Sequence, residues 1–91
     1  MRLYNELSKV FPKMEEDIHS PTLELFSQWH YEKISYFFLP LRAYIKDNFL
    51  QKDGELYKAF YNAGISSYDD MVVFIITMFY VHIKEKNLPA E

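Results

Sequence analysis

From Met71 to Ile83 the chain runs through 13 residues in which only Thr77 and His82 interrupt an apolar series. Such a run is too short to cross a bilayer, which takes about 20 residues, so something else must cover it. At about 100° per residue, Met71, Val72, Phe74, Ile75, Met78, Phe79, Val81, His82 and Ile83 occupy more than half of a helix circumference. The β-branched stretch Val72-Val73-Phe74-Ile75-Ile76 would also suit a buried strand. Helix-terminal signals flank it, however. Ser66 and Ser67 offer a capping hydroxyl, Asp69 and Asp70 fall in the first turn, and Lys84 and Lys86 stand at the negative end. These favour a helix over 68–86, and a helix so widely apolar is central to a bundle or lies in a subunit interface.

The remaining residues have to supply the cover. Ninety-one residues suffice for one domain, 1–91, which buries only roughly 60–65% of its unfolded surface. Yet 49% of the chain is hydrophobic and 19% aromatic, a content that excludes disorder. Two glycines and four prolines leave little material for the tight turns of a β-sandwich. The expected fold class is therefore all-α, a compact bundle of four to five helices with a largely buried C-terminal helix.

Periodicity and punctuation divide the chain. Leu3, Leu7, Val10 and Phe11 share a helical face over 2–11, and Pro12 disfavours α geometry at Phe11, predicting a break there. A short second turn opening at Pro12 would place Glu15, Glu16 and Asp17 near a positive helix N-terminus. Ser20-Pro21 opens a helix over 20–38. Pro40 then ends or kinks it before a further helix over 41–51. Asp53-Gly54 reads as a stop, and a helix over 55–63 closes on Gly64 and Ile65, the order of a left-handed glycine followed by an apolar residue.

The helix over 20–38 carries two stripes. Leu23, Phe26, His30, Ile34 and Phe37 form one suited to a core. Leu25, Trp29 and Tyr36 form a second about 90° away, with Glu32 at its edge. Two stripes imply two neighbours, either both within the bundle or one of them another molecule. Tyr57 and Tyr61 stand one turn apart on the following short helix, and Tyr and Trp are the residues that interfaces use as anchors. The candidate partner-binding residues are thus Leu25, Trp29, Tyr36, Glu32, Tyr57 and Tyr61, with Glu15, Glu16 and Asp17 supplying orientation and on-rate. AT-rich codons for Phe, Tyr, Ile, Lys and Asn are a competing source of the aromatic surplus.

Chemistry is sparse. There is no cysteine, hence no disulfide, thiolate metal site or cysteine nucleophile. His19, His30 and His82 show no i, i+3 or i+4 spacing, and His30 and His82 fall on apolar faces where a core histidine with one hydrogen bond is expected. Ser66 and Ser67 lack a nearby base, and glycine-rich phosphate loops are missing. No enzyme, cofactor or metal is expected. A net charge of −3 argues against direct nucleic-acid binding, and no stretch suits a membrane span or a signal peptide. A cytoplasmic location is expected.

Phe11-Pro12 after an opening helix, and the closing apolar helix after Asp69-Asp70, give the chain an organisation that resembles small all-α bacterial immunity and antitoxin-like proteins and phage inhibitor proteins. That resemblance implies a stoichiometric protein that neutralises or regulates a protein partner, such as a toxin or nuclease, by occlusion. It carries no functional residue across. The alternatives are a homo-oligomer, for instance a homodimer, using the last helix as its interface, and a carrier with a small ligand between its helices.

Overall fold

A computed structural model describes residues 2–18, 36 and 38–86. Among them lie four helices, α1 (Arg2–Asp17), α2 (Phe38–Phe49), α3 (Glu55–Asn62) and α4 (Tyr68–Lys86), and no strand. The fold is all-α. The β-branched stretch of 72–76 is helical, as its flanking signals require. No helix of the described residues is long and apolar enough to cross a membrane.

Helix α4 supplies the largest share of the core. Met71, Val72, Ile75, Ile76, Phe79, Tyr80 and Ile83 are all buried, and at 100° per residue they span about half of the circumference. Helices α1 and α3 pack on each other, α2 packs on α4, and α1 also touches α4. Ile45 and Leu50 contribute from α2 and the residue beyond it, and Leu56, Ala59 and Phe60 from α3. Phe60 meets Phe74 edge to face at 5.4 Å between centroids, an arrangement that adds to simple burial. Ser67 caps α4 loosely, its Oγ accepting the Asp70 N–H at 3.5 Å.

The expected break at Pro12 does not occur. Helix α1 continues through Pro12 to Asp17, and the reason is visible in what the extra turns bury. Leu3, Leu7, Val10, Phe11 and Met14 form one stripe, and all are buried. An interior proline costs about 3 kcal/mol through its missing N–H and its ring. Ending the helix at Phe11 would expose Phe11 and Met14, each worth about 1.5–3 kcal/mol when buried, so continuing is at least as favourable. Pro12 and Ser8 are both exposed, so the Ser8 carbonyl that Pro12 leaves without a donor lies on the side open to water. One consequence concerns Glu15, Glu16 and Asp17. They occupy the last turn of α1, at its negative end, and not a helix N-terminus.

Pro40 likewise differs from expectation. Helix α2 begins at Phe38, so Pro40 sits in its first turn, where its lack of an N–H is harmless. The helix expected over 20–38 lies outside the described residues, apart from its end at Tyr36 and Phe38.

Helix α3 closes as its sequence foretells. Ile65 N–H donates to the Phe60 carbonyl at 2.9 Å and Gly64 N–H to the Tyr61 carbonyl at 3.1 Å, the paired bonds of a Schellman cap. Gly64 adopts φ +91°, which L side chains rarely take, and Ile65 packs against the core. Replacing Gly64 by Ala should destabilise the fold by about 1–2 kcal/mol through left-handed strain, although a Cβ there would meet no atom within 4 Å. The readout is the urea midpoint, and an unchanged midpoint would refute the strain. Conversely, Pro12→Ala restores a helical hydrogen bond at an exposed position and should raise stability by about 1–3 kcal/mol in the same measurement.

Candidate functional site

The three carboxylates that end α1 face an unfavourable helix dipole, at about 0.3–1 kcal/mol each. Two of them are engaged across the bundle. Asp17 accepts the Tyr44 hydroxyl at 2.7 Å, which joins α1 to α2, and the Lys13 ammonium at 3.0 Å within α1. Glu15 lies 3.1 Å from His82 Nε2 on α4, and the imidazole stacks on Phe11 at 4.9 Å and Phe79 at 6.2 Å. Glu16 is exposed. His82 thus has the hydrogen-bond partner expected from sequence, but it is half-buried on an aromatic face and not a core residue.

The Asp17 cluster perturbs its own protonation. The Tyr44 hydroxyl and then the Lys13 ammonium hold the Asp17 carboxyl below its ordinary value of 3.8. Burial, then the bond to Asp17, pushes the Tyr44 phenol above its usual range. Lys13 is raised by its bond to Asp17.

Between α1 and α4 opens a cleft of about 340 Å³ that Tyr4, Phe11, Pro12, Met78, Val81 and His82 help to line. Lys52, Asp53, Tyr57, Lys58, Tyr61 and Asn62 line a groove of about 510 Å³ along the outward side of α3.

Local sequence explains why α3 presents this face. Leu56, Ala59 and Phe60 turn inward and are buried, which leaves Tyr57, Lys58, Tyr61 and Asn62 on the other side at helical spacing. Gly54 caps the helix start in extended conformation. Its N–H donates to the Gln51 carbonyl at 2.8 Å, a turn that carries Lys52 and Asp53 to the groove rim. Tyr57 and Tyr61 stack at 6.3 Å with an interplanar angle of 25°. Tyr57 also meets Tyr68 at 5.5 Å, and Lys46 lies 4.6 Å over the Tyr68 ring. Tyr61 remains 59% exposed. The result is a tyrosine row with one end in water and an ammonium at the other.

Of the residues expected from sequence to bind a partner, the structure brings Tyr57 and Tyr61 together in one groove. Tyr36 is exposed ahead of α2, and Glu15, Glu16 and Asp17 sit apart at the end of α1. Leu25, Trp29 and Glu32, like His30, lie outside the described residues. Lys52, Lys58 and Asn62 were not singled out by sequence. The available signal was local: Lys58 is one residue after Tyr57 and three before Tyr61, and Asn62 follows directly. Among the described residues no three potential metal ligands converge.

Comparison with known proteins gives no match to a family model, to a curated protein or to a solved structure.

The Asp17 cluster makes stability depend on pH at both extremes. A depressed carboxyl contributes fully above its ordinary value and ceases to contribute as pH falls through the folded-state value, so the acid loss begins near pH 3.8 and continues below it. A raised phenol contributes below its ordinary value of 10.0 and is lost as pH rises past it. Thermal melts across pH should show both limbs. Asp17→Asn should flatten the acid limb and Tyr44→Phe the alkaline one; unchanged limbs in both variants would exclude the cluster as their source.

Proposed function

We propose that this chain is a small helical binding protein that neutralises or regulates a protein partner by occluding it, and that it docks through the outward face of α3. One observation carries the assignment: Tyr57 and Tyr61, stacked on each other and opening onto a groove, are presented on a rigid capped helix. Amphipathic aromatic side chains fixed in this way give large contact area at small entropic cost, which is why interfaces concentrate them. A toxin or nuclease is the partner class that the organisation of the sequence implies. We also retain the helix over 20–38 as a fifth member of the bundle, set off from α2 ahead of Pro40. Its stripe of Leu25, Trp29 and Tyr36, edged by Glu32, extends the contact surface. Glu16, exposed at the end of α1, contributes to long-range orientation.

Photocrosslinking in the native host tests the docking face. A benzophenone side chain at position 61 should yield a discrete adduct heavier than the 11.0 kDa chain, with none from the exposed control position Lys9. Tyr61→Ala, at an exposed site, should leave stability within about 0.5 kcal/mol while weakening the complex at least tenfold. An adduct of twice the chain mass would make the partner a second copy. Adducts from position 29 without any from 61 would overturn the assignment to α3.

A further inference from the structure

The cations whose side chains the structure describes are nearly all occupied within the fold. Lys9 pairs with Glu6 at 3.1 Å, Lys13 with Asp17 at 3.0 Å and Arg42 with Asp69 at 2.8 Å. Lys46 and Lys84 lie over the rings of Tyr68 and Tyr80, at 4.6 and 5.6 Å. Of the described cationic side chains, Lys52 and Lys58 alone have neither an ion-pair nor a ring partner, and both line the same groove with Tyr57 and Tyr61. A solitary free lysine on a protein surface is ordinary. Two that converge on one aromatic groove form a place where a single anionic segment gains from both.

The groove lining holds two ammonium groups against one carboxylate, Asp53. The lining thus has an excess of one positive charge on a chain of net charge −3, with Glu55 nearby in the first turn of α3. Complementary charge of this kind fixes the register and choice of a partner. A nucleic acid would need a longer cationic track, since its binding rests on neutralising successive phosphates, and would meet repulsion from the net negative charge. A short protein segment with a few carboxylates needs no more than the two lysines.

We infer that the α3 groove seats an acidic segment of the protein partner, its Asp or Glu carboxylates reaching Lys52 and Lys58 while an adjacent apolar or aromatic side chain lies on the Tyr57–Tyr61 pair. The inference rests on the docking role proposed for α3 and adds the chemistry of the docked segment. Sequence alone pointed elsewhere, to Glu15, Glu16 and Asp17 as the charges that orient the partner. Two of those acids, Glu15 and Asp17, are held by His82, Tyr44 and Lys13, whereas the two uncommitted lysines stand in the groove.

Selection from a random 12-residue peptide library displayed on phage, against the immobilised full chain, tests this directly. Three baits are compared: the wild type, Tyr57→Ala/Tyr61→Ala, and Lys52→Gln/Lys58→Gln. Tyr61→Ala alone replaces the double tyrosine variant if the latter loses helix content by circular dichroism. The expected result is enrichment of peptides with two or more Asp or Glu beside an aromatic or aliphatic residue. Their synthetic copies should bind the tyrosine and the lysine variants each about tenfold more weakly than the wild type, about 1.4 kcal/mol. Peptides that depend on the tyrosines but are neutral or basic, and indifferent to the lysines, would overturn the acidic segment and leave the α3 docking face standing. No tyrosine-dependent peptide at all would overturn both. A fluorescein-labelled oligo-dT that binds in the groove more tightly than the acidic peptides would replace the acidic segment with a single-stranded nucleic acid.

Discussion

The arrangement of the molecule follows from one requirement, that the apolar half of α4 be kept from water. Seven large side chains from Met71 to Ile83 are buried on it, and no single neighbouring helix is wide enough to cover so broad a surface. Helix α2 lies against α4, and α1, itself packed on α3, reaches α4 from another side. The other helices can then be amphipathic in the ordinary way, with one stripe each. This is why α3, only eight residues long, can spend its outward side on tyrosines and a lysine: three inward residues and a tight C-cap hold it in place.

Much of the fold was legible where local signals agreed with packing. Ser67, Asp69 and Asp70 mark the start of α4, and Gly64 followed by Ile65 marks the end of α3, each through backbone geometry that depends on few distant residues. Pro12 was misread because its rule is local while the deciding energy is not. The stripe from Leu3 to Met14 is continuous only if the helix ignores the proline. That single error also moved Glu15, Glu16 and Asp17 from the favourable end of a helix to the unfavourable one.

The candidate groove was half legible. An i, i+4 pair on a short helix was enough to single out Tyr57 and Tyr61. Lys52 and Lys58 were invisible because what distinguishes them is the lack of a partner, a property set by where every other charge goes. Arg42 and Asp69 are 27 positions apart in sequence, as are Asp17 and Tyr44, so no window along the chain reveals which cations remain.

The bond between Glu15 and His82 spans 67 positions, and it joins α1 to α4. While the chain is being made, the stripe of Leu3, Leu7, Val10, Phe11 and Met14 has neither α3 nor α4 to lie against. An exposed apolar stripe on an unfinished chain is a site for aggregation or for capture by a chaperone. Folding of the core therefore waits until α4 has been made, and a nascent chain halted before Tyr68 would lack the helix around which the others are arranged.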